Sequence, residues 1–381
     1  MNHQTIINDT ELDEFCKKLS HQAWFAIDTE FVRQDTYYAE LSLIQIYSEQ
    51  GDLALIDPLV LKDMAPLWTL LANPAVTKVF HSARQDIEIL FQVGGLMPQN
   101  VFDTQIAGVF LGYGDMAGFA RVIENELNVS LDKDQTRTNW HQRPLTTRQI
   151  QYALDDVRFL APLYQKMQQQ LSAVQKQALS WDFEQLLDTS LYQIDPNQAW
   201  LKLKGTQNFS PKQLGVTKVL AAWRERTAIE LNQPRKWIIN DDVILYLAKR
   251  PVRALEGLYK VPDLNAGLVR QFGEAIIQQL DWAFAHEEAW PDKPSKAEPA
   301  QPQEDTHVQL AMSYAQQVAL NAGLNLNNLT QRRDILCLLR KQPNMLDQGW
   351  RALLLGEPLK QLFNHQACLC VEAGQIKLIG I

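Results

Sequence analysis

The sequence predicts an α/β domain, built on a mixed sheet with helices on its faces, followed by two all-helical modules. Three observations carry this reading. Short apolar, β-rich runs crowd residues 23–60, strand and helix patterns alternate from residue 77, and beyond residue 212 only helical periodicity remains. At ~150 residues per domain, a chain of 381 residues fits two or three domains. With 46% apolar and 21% charged residues, wholesale disorder and fibrous repeats are excluded.

AWFAID (23–28), LSLIQIYS (41–48) and LALID (53–57) are apolar or β-branched, and turn-like stretches separate them, as in an antiparallel meander. TKVFH (77–81) precedes a helical pattern at 83–92, with Ser82 as the expected N-cap, and NVFD (100–103) precedes another at 104–112. That alternation gives the sheet parallel components. A further helix is expected at 119–127. A long one starts near Thr146, where Thr146 and Gln149 have capping-box spacing. Its apolar residues Ile150, Ala153, Leu154, Val157, Leu160 and Leu163 keep a 3.6 period, and Pro162 is expected to kink or end it.

Helical patterning continues to about residue 190 and resumes at 219–232, 240–250 (capped by Asn240) and 265–285. The stretch 291–305, PDKPSKAEPAQPQED, reads as a linker by composition, and 307–381 is again helical in pattern. The expected division is therefore residues 1–195, a connector at 196–211, a helical module at 212–290, a linker at 291–305 and a second helical module at 306–381.

Charge is uneven. Residues 1–211 hold 16 Lys and Arg against 26 Asp and Glu, whereas 212–381 hold 20 against 18. A generic nucleic-acid glue would be basic throughout. An acidic first half suits carboxylates that hold divalent cations facing an anionic substrate, and equally suits a merely soluble acidic domain. No apolar run reaches the ~18 residues needed to cross a bilayer. The polar, acidic start lacks the pattern of a secretory signal, and the four scattered cysteines contain no CxxC pair. A cytoplasmic monomer that uses neither membrane nor nucleotide cofactor is expected.

The chemistry centres on separated carboxylates. Asp28 and Glu30 of IDTEF sit two apart at a strand end, so both project from one sheet face. Such a pair repels itself unless a hard cation such as Mg²⁺ or Mn²⁺ lies between its members; an acidic strand end facing solvent is the alternative. Asp86 lies in the first turns of a helix, where acidic residues also occur for dipole reasons. Tyr152 and Asp156 of YALDD stand i,i+4 on one helix face, and helix geometry leaves Asp155 open as a substitute.

Together, DxE on the first of these strands, Asp after a later strand and YxxxD on a terminal helix resemble the DEDDy exonuclease pattern. FAIDTEF, LSLIQI, HSARQD, VFDTQIAGVFLGYG, NWHQRPLT and YALDDVRFL are similar, in order, to segments of the ribonuclease D family over residues 20–170. Residues 217–248 resemble the HRDC module found in that family and in RecQ-type helicases, and 307–381 resemble a more divergent second copy. The resemblance implies an RNase H-like fold whose first three strands are antiparallel. It also implies two divalent ions (Mg²⁺ or Mn²⁺) held by Asp28, Glu30, Asp86 and Asp156, with Tyr152 orienting the attacking water. The implied reaction is 3′→5′ hydrolysis of RNA, tRNA precursors included, to nucleoside 5′-monophosphates. A DNA exonuclease and a catalytically silent nucleic-acid adaptor are the competing readings. A helicase is disfavoured because no GxxxxGK[ST] loop occurs.

Substrate contacts are expected at Thr29 and at Phe31, which could stack a terminal base or simply pack. His81, read as structural or a peripheral substrate contact, Trp140 and Arg143 are further candidates, although packing is the stronger expectation for Trp140. In the first HRDC-like module, Arg224 and Lys236 represent a loose basic set interleaved with Trp223 and Trp237, which could bind phosphates or form a solvated face. GYGDMAG (112–118) has the wrong spacing for a nucleotide loop and reads as a turn. Asp103 reads as a helix cap.

Overall fold

A computed structural model describes residues 3–131, 138–292 and 298–381. The chain forms two compact units, one of Met1–Val32, Leu41–Thr189 and Glu298–Ile381, the other of Arg33–Glu40 and Ser190–Ala297.

The first unit is built on a six-stranded sheet. Its strands are β1 (Gln4–Ile6), β2 (Trp24–Val32), β3 (Glu40–Ser48), β4 (Leu53–Ile56), β5 (Thr77–Phe80) and β6 (Val101–Asp103), in the order β1-β4-β3-β2-β5-β6. β3 and β4 pair antiparallel, whereas β1–β4, β2–β5 and β5–β6 are parallel, so the sheet is mixed as expected. Phe25, Ala26 and Ile27 are fully buried, as a central strand covered on both faces requires. β1 and the helix α1 (Asp9–Leu19) are additions to the sequence reading: three residues are too few for a periodic signal, and β1 is the edge strand, parallel to β4. α1 is nonetheless well specified, because Asn8 caps it and charges of the favoured sign occupy both ends.

Helices α2 (Ala65–Leu71) and α3 (Arg84–Gly94) flank β5, and α4 (Thr104–Ala107) follows β6. Ser82 is not the cap of α3. It takes a positive φ of 64°, and Asp103 accepts the backbone N–H groups of Ser82 and Ala83 at 3.0 and 2.8 Å. The same carboxylate accepts from Gln105 at 2.8 Å and from Ile106, so one buried Asp caps α4 and fixes the turn that leads into α3. α5 (Phe119–Leu127) matches its expected span, α6 (Thr147–Gln170) starts where expected, and the Thr146–Gln149 capping box is formed. Pro162 does not end α6: burial of Val157, Leu160, Ala161, Leu163 and Met167 holds the helix through the lost hydrogen bond.

α7 (Ala173–Gln185) leads out of the sheet region. The second unit contains α8 (Pro211–Glu230), α9 (Arg235–Ile238), α10 (Asp241–Lys249), α11 (Leu255–Leu258) and α12 (Ala266–Ala285) around a core that includes Leu220, Ile244, Leu247, Ile276 and Leu280. There the partly exposed Arg235 pairs with the buried Glu225, and its guanidinium lies 4.8 Å over the ring of Tyr37, whose hydroxyl donates to Glu225.

The chain then returns to the first unit. α13 (Pro302–Ala322) begins inside the stretch read as a linker, of which 293–297 lie outside the described residues. α14 (Leu326–Leu329), α15 (Arg332–Leu339), α16 (Gly349–Arg351), a π turn at Ala352–Gly356 and α17 (Glu357–Phe363) follow. The last residues correct the all-helical expectation for 307–381: β7 (Ala367–Glu372) and β8 (Gln375–Gly380) form an antiparallel hairpin. Val308, Ala311, Ala315 and Trp350 share one core with Phe102, Leu163 and Phe183. Trp350 N–H donates to the buried Asp182 carboxylate at 2.8 Å, and burial raises that carboxyl to about 6.

Gly349 makes this contact possible. Its φ is 65°, and a Cβ there would collide with Asp182 and the Trp181 ring. Gly349→Ala should cost about 3 kcal/mol in urea denaturation. Gly95→Ala is the control: it also has positive φ but nothing near its Cβ, and should cost only about 1 kcal/mol. Equal losses would show that backbone conformation, and not the Asp182 contact, sets the requirement for glycine.

Candidate active site

β2 overhangs its parallel partner. Only Trp24–Ala26 pair with β5, so the rest of the strand extends past the carboxyl end of that pairing, where ligand sites of parallel sheets form. Asp28 and Glu30 lie on this overhang. The capping box that starts α6 sets the phase of the helix and places Tyr152 and Asp156 on one face. Asp28, Glu30 and Asp156 each bring a carboxylate oxygen to within 4.8 Å of the others. Asp155 points elsewhere: its Oδ1 accepts from Gln151 at 2.8 Å and pairs with Arg158 at 3.0 Å.

Asp86 stands in the first turn of α3, buried, and accepts the Thr29 hydroxyl. It lies outside the three-oxygen set but feels its field. Burial, followed by the charge of Asp28, raises the Asp86 carboxyl well above the usual range, against the Thr29 hydrogen bond. Burial and then Asp156 do the same to Asp28. Glu30 is pushed up to about 10 by burial and by Asp28, Asp156 and Asp86, and Asp156 to about 8 by burial, Asp155 and Asp86. These carboxyls cannot all ionise together unaided. Hard oxygen donors with unbalanced negative charge are the donor set that suits a divalent cation, which would replace their protons.

The other expected site residues divide sharply. Thr29 is buried and spends its hydroxyl on Asp86, so its role is to orient that carboxylate. Phe31 is half-buried near the end of β2. Tyr152 is half-buried, its ring 6.1 Å from that of Trp140. Trp140, 1% exposed, is a core residue and no surface for RNA. His81 is pinned between Thr104 Oγ1 and the Ala117 carbonyl, both at 2.9 Å, and burial lowers its pKa. Both ring nitrogens are engaged inside the fold, so the ring is structural.

Arg143 is likewise corrected. Its Nε and Nη2 grip Asp57 at 2.5 and 2.8 Å, and its remaining donors reach the carbonyls of Trp140, Gln142 and Ser42. It clamps the loop before α6 and has no donor left for phosphate. Asp57 went unnoticed in sequence because its partner is 86 residues away. Arg143→Lys, which cannot make the two-pronged contact, should lower stability by about 3 kcal/mol and leave RNA affinity unchanged. Calorimetry beside a binding titration checks both, and weakened binding in a protein of normal stability would restore Arg143 to the substrate site.

In the second unit, Arg224 is 4% exposed and donates to the Ile239 carbonyl and Asp241 at 3.1 and 2.7 Å, so it is no surface phosphate contact. Lys236 is exposed on α9, beside the half-exposed Trp237.

A mixed sheet with acidic groups gathered beyond the carboxyl end of its parallel strands is here a 3′–5′ exonuclease domain, because the family profile described as 3′-5′ exonuclease matches residues 3–172. The HRDC domain profile matches residues 213–280. A ribonuclease D of Acidiphilium cryptum is 33% identical over 99% of this chain and 97% of its own. That of Zymomonas mobilis is 39% identical over 74% and 73%. The crystal structure of Escherichia coli RNase D, described as an exoribonuclease involved in structured RNA processing, superposes with a TM-score of 0.80 at 30% identity, covering 96% of this chain and 99% of that one. The chain belongs to the ribonuclease D family and is a 3′–5′ exoribonuclease. Divalent metal use comes with that family, and the acidic cluster is present.

Proposed function

We propose that this enzyme hydrolyses RNA from the 3′ end, one nucleoside 5′-monophosphate at a time, in the maturation of tRNA precursors and other structured RNAs. The observation that carries the proposal is the convergence of Asp28, Glu30 and Asp156, with Asp86 coupled to them, in carboxyls that favour protons until cations arrive. These four residues would hold two ions, Mg²⁺ or Mn²⁺. When bound, such ions supply Lewis-acid stabilisation of the attacking and leaving oxygens. Tyr152 positions the attacking water by hydrogen bonding, because a phenol with a pKa near ~10 is a poor base at neutral pH. Water adds to phosphorus, the P–O3′ bond breaks and the shortened strand leaves with a 3′ hydroxyl. Thr29 steadies Asp86 throughout.

The same reading assigns residues 1–195 to the nuclease, 212–290 to an HRDC module and 306–381 to a divergent second copy, in a cytoplasmic monomer. No helix among the described residues is long and apolar enough to cross a membrane.

Degradation of end-labelled RNA tests the proposal. 5′-labelled RNA should shorten in single-nucleotide steps, 3′-labelled RNA should release labelled mononucleotide at once, and chelator should stop both. Internal cuts would overturn the reading. Faster cleavage of matched DNA would favour the DNA exonuclease, and binding without release the silent adaptor. Phe31→Ala should raise KM for short RNA about tenfold in a folded protein, as loss of one stacked base does. Unchanged kinetics would reduce Phe31 to packing.

A further inference from the structure

Arg148 stands one turn before Tyr152 and about two turns before Asp156 on α6. Helix geometry puts it about 40° and about 80° from them around the axis, so the three share one side. Ala153, Leu154 and Val157 take the other, buried side, whereas Arg148 is exposed.

Of the cations on α6, two are spent. Arg158 pairs with Asp155 at 3.0 Å and Lys166 with Glu126 at 2.6 Å. On the preceding loop Arg143 is consumed by Asp57 and by carbonyls. Among the described residues the Arg148 guanidinium has neither an ion pair nor a hydrogen bond. It also sits where the helix disfavours it. Arg148 is the second residue of α6, and no acidic residue of that first turn offsets it against the positive end of the macrodipole. Capping does not account for it, because Thr146 and Gln149 complete the cap between themselves. Nothing inside the chain repays this charge, whereas the anionic strand that must reach Asp156 would.

About 12 Å of helix axis separate Arg148 from Asp156, and helical side chains lean toward the N-terminus, away from the carboxylates. Its reach is therefore to a phosphate beside the scissile one. The released nucleotide ends in a hydroxyl, so that neighbour lies on the 5′ side. We propose that Arg148 holds a phosphate upstream of the scissile bond and so sets how much RNA the nuclease site engages. The proposal rests on the exoribonuclease reading. It makes a dinucleotide, which has no upstream phosphodiester, a poor substrate beside a longer RNA.

Release of the first nucleotide from an RNA of about six nucleotides is followed with Mg²⁺, with a non-ionic methylphosphonate placed at each upstream linkage in turn. Arg148→Gln should raise KM for the all-phosphate RNA about tenfold and leave kcat within about twofold. Arg148→Lys keeps the charge and should recover most of that loss. One methylphosphonate position should weaken the wild type by a similar factor and leave Arg148→Gln unaffected, as loss of a shared contact requires. The log–log salt dependence of KM should flatten by about 0.7, the share of one phosphate on a single strand. Melting temperature should hold or rise, since the first turn sheds an unfavourable cation.

An unchanged KM in Arg148→Gln, equal methylphosphonate losses in both proteins, or a KM loss accompanied by a lower melting temperature would each overturn the contact. A wild-type protein that hydrolyses none of these RNAs would sink the exoribonuclease reading instead. Binding of the same RNAs in chelator, compared between wild type and Arg148→Gln, would still judge the contact.

Discussion

Asp156→Asn should lower kcat/KM on short RNA by about a thousandfold, roughly 4 kcal/mol of transition-state stabilisation, while Asp155→Asn should change it less than about threefold. The two carboxylates are neighbours of the same chemistry on one helix, so helix propensity and net charge are matched between the variants. They differ in what they face. Asp156 shares the oxygen cluster with Asp28 and Glu30, and the amide would keep its shape while removing the charge that a cation needs. Asp155 is engaged by Gln151 and Arg158 on a partly exposed face, and an ion pair of that kind contributes about 0–1 kcal/mol. Steady-state kinetics with thermal melting as the folding control decides between them. Similar losses from both variants would break the assignment of the cluster.

Metal-free protein should become less stable as pH rises from about 5 to about 9, and divalent cation should remove that slope. The sign follows from proton counting. Glu30 and Asp156 are raised in the folded state to about 10 and about 8, and Asp28 and Asp86 shift the same way. Unfolded, each carboxyl titrates near ~4, so above that pH the folded state holds more protons than the unfolded one and stability falls with pH. The decline runs from about 4 through the folded values and then levels off. Its size is roughly 3 kcal/mol once mutual coupling is discounted. Cation binding should release those protons and stabilise the alkaline protein most. Calorimetric melting in chelator and in Mn²⁺, with Glu30→Gln to remove part of the slope, measures this. Apo stability that is flat or rising across the window would contradict the buried, mutually repelling cluster.

Much of the site was legible before any coordinates, for a local reason. DxE and YxxxD are short spacings, and strand and helix periods translate them directly into shared faces. Asp86 stood out only through the family resemblance, since acidic residues are common in a first helical turn, whereas Asp103 was readable as a cap from its place just before a helix. What sequence could not report is which polar residue already has a partner. Arg143 looks free until Asp57 meets it, and Arg224 is consumed by Ile239 and Asp241, whereas Trp140 packs in the core as expected. Ser82 looked like a cap from its type and place, but α3 starts after Ala83, and Asp103 from another strand holds the Ser82 and Ala83 N–H groups.

The order of amino acids alone therefore determined the sheet-and-helix class and the start and phase of α6, because these are written in periods of two and 3.6, whereas the set of acidic residues came from the family resemblance. Folding in three dimensions decided that Asp156 and not Asp155 joins Asp28 and Glu30, that β1 completes the sheet edge, that 298–381 shares a core with the strands and ends in a hairpin, and which cations remain unspent. Those outcomes depend on contacts between residues far apart along the chain, where no spacing rule operates and only packing and charge select the partner.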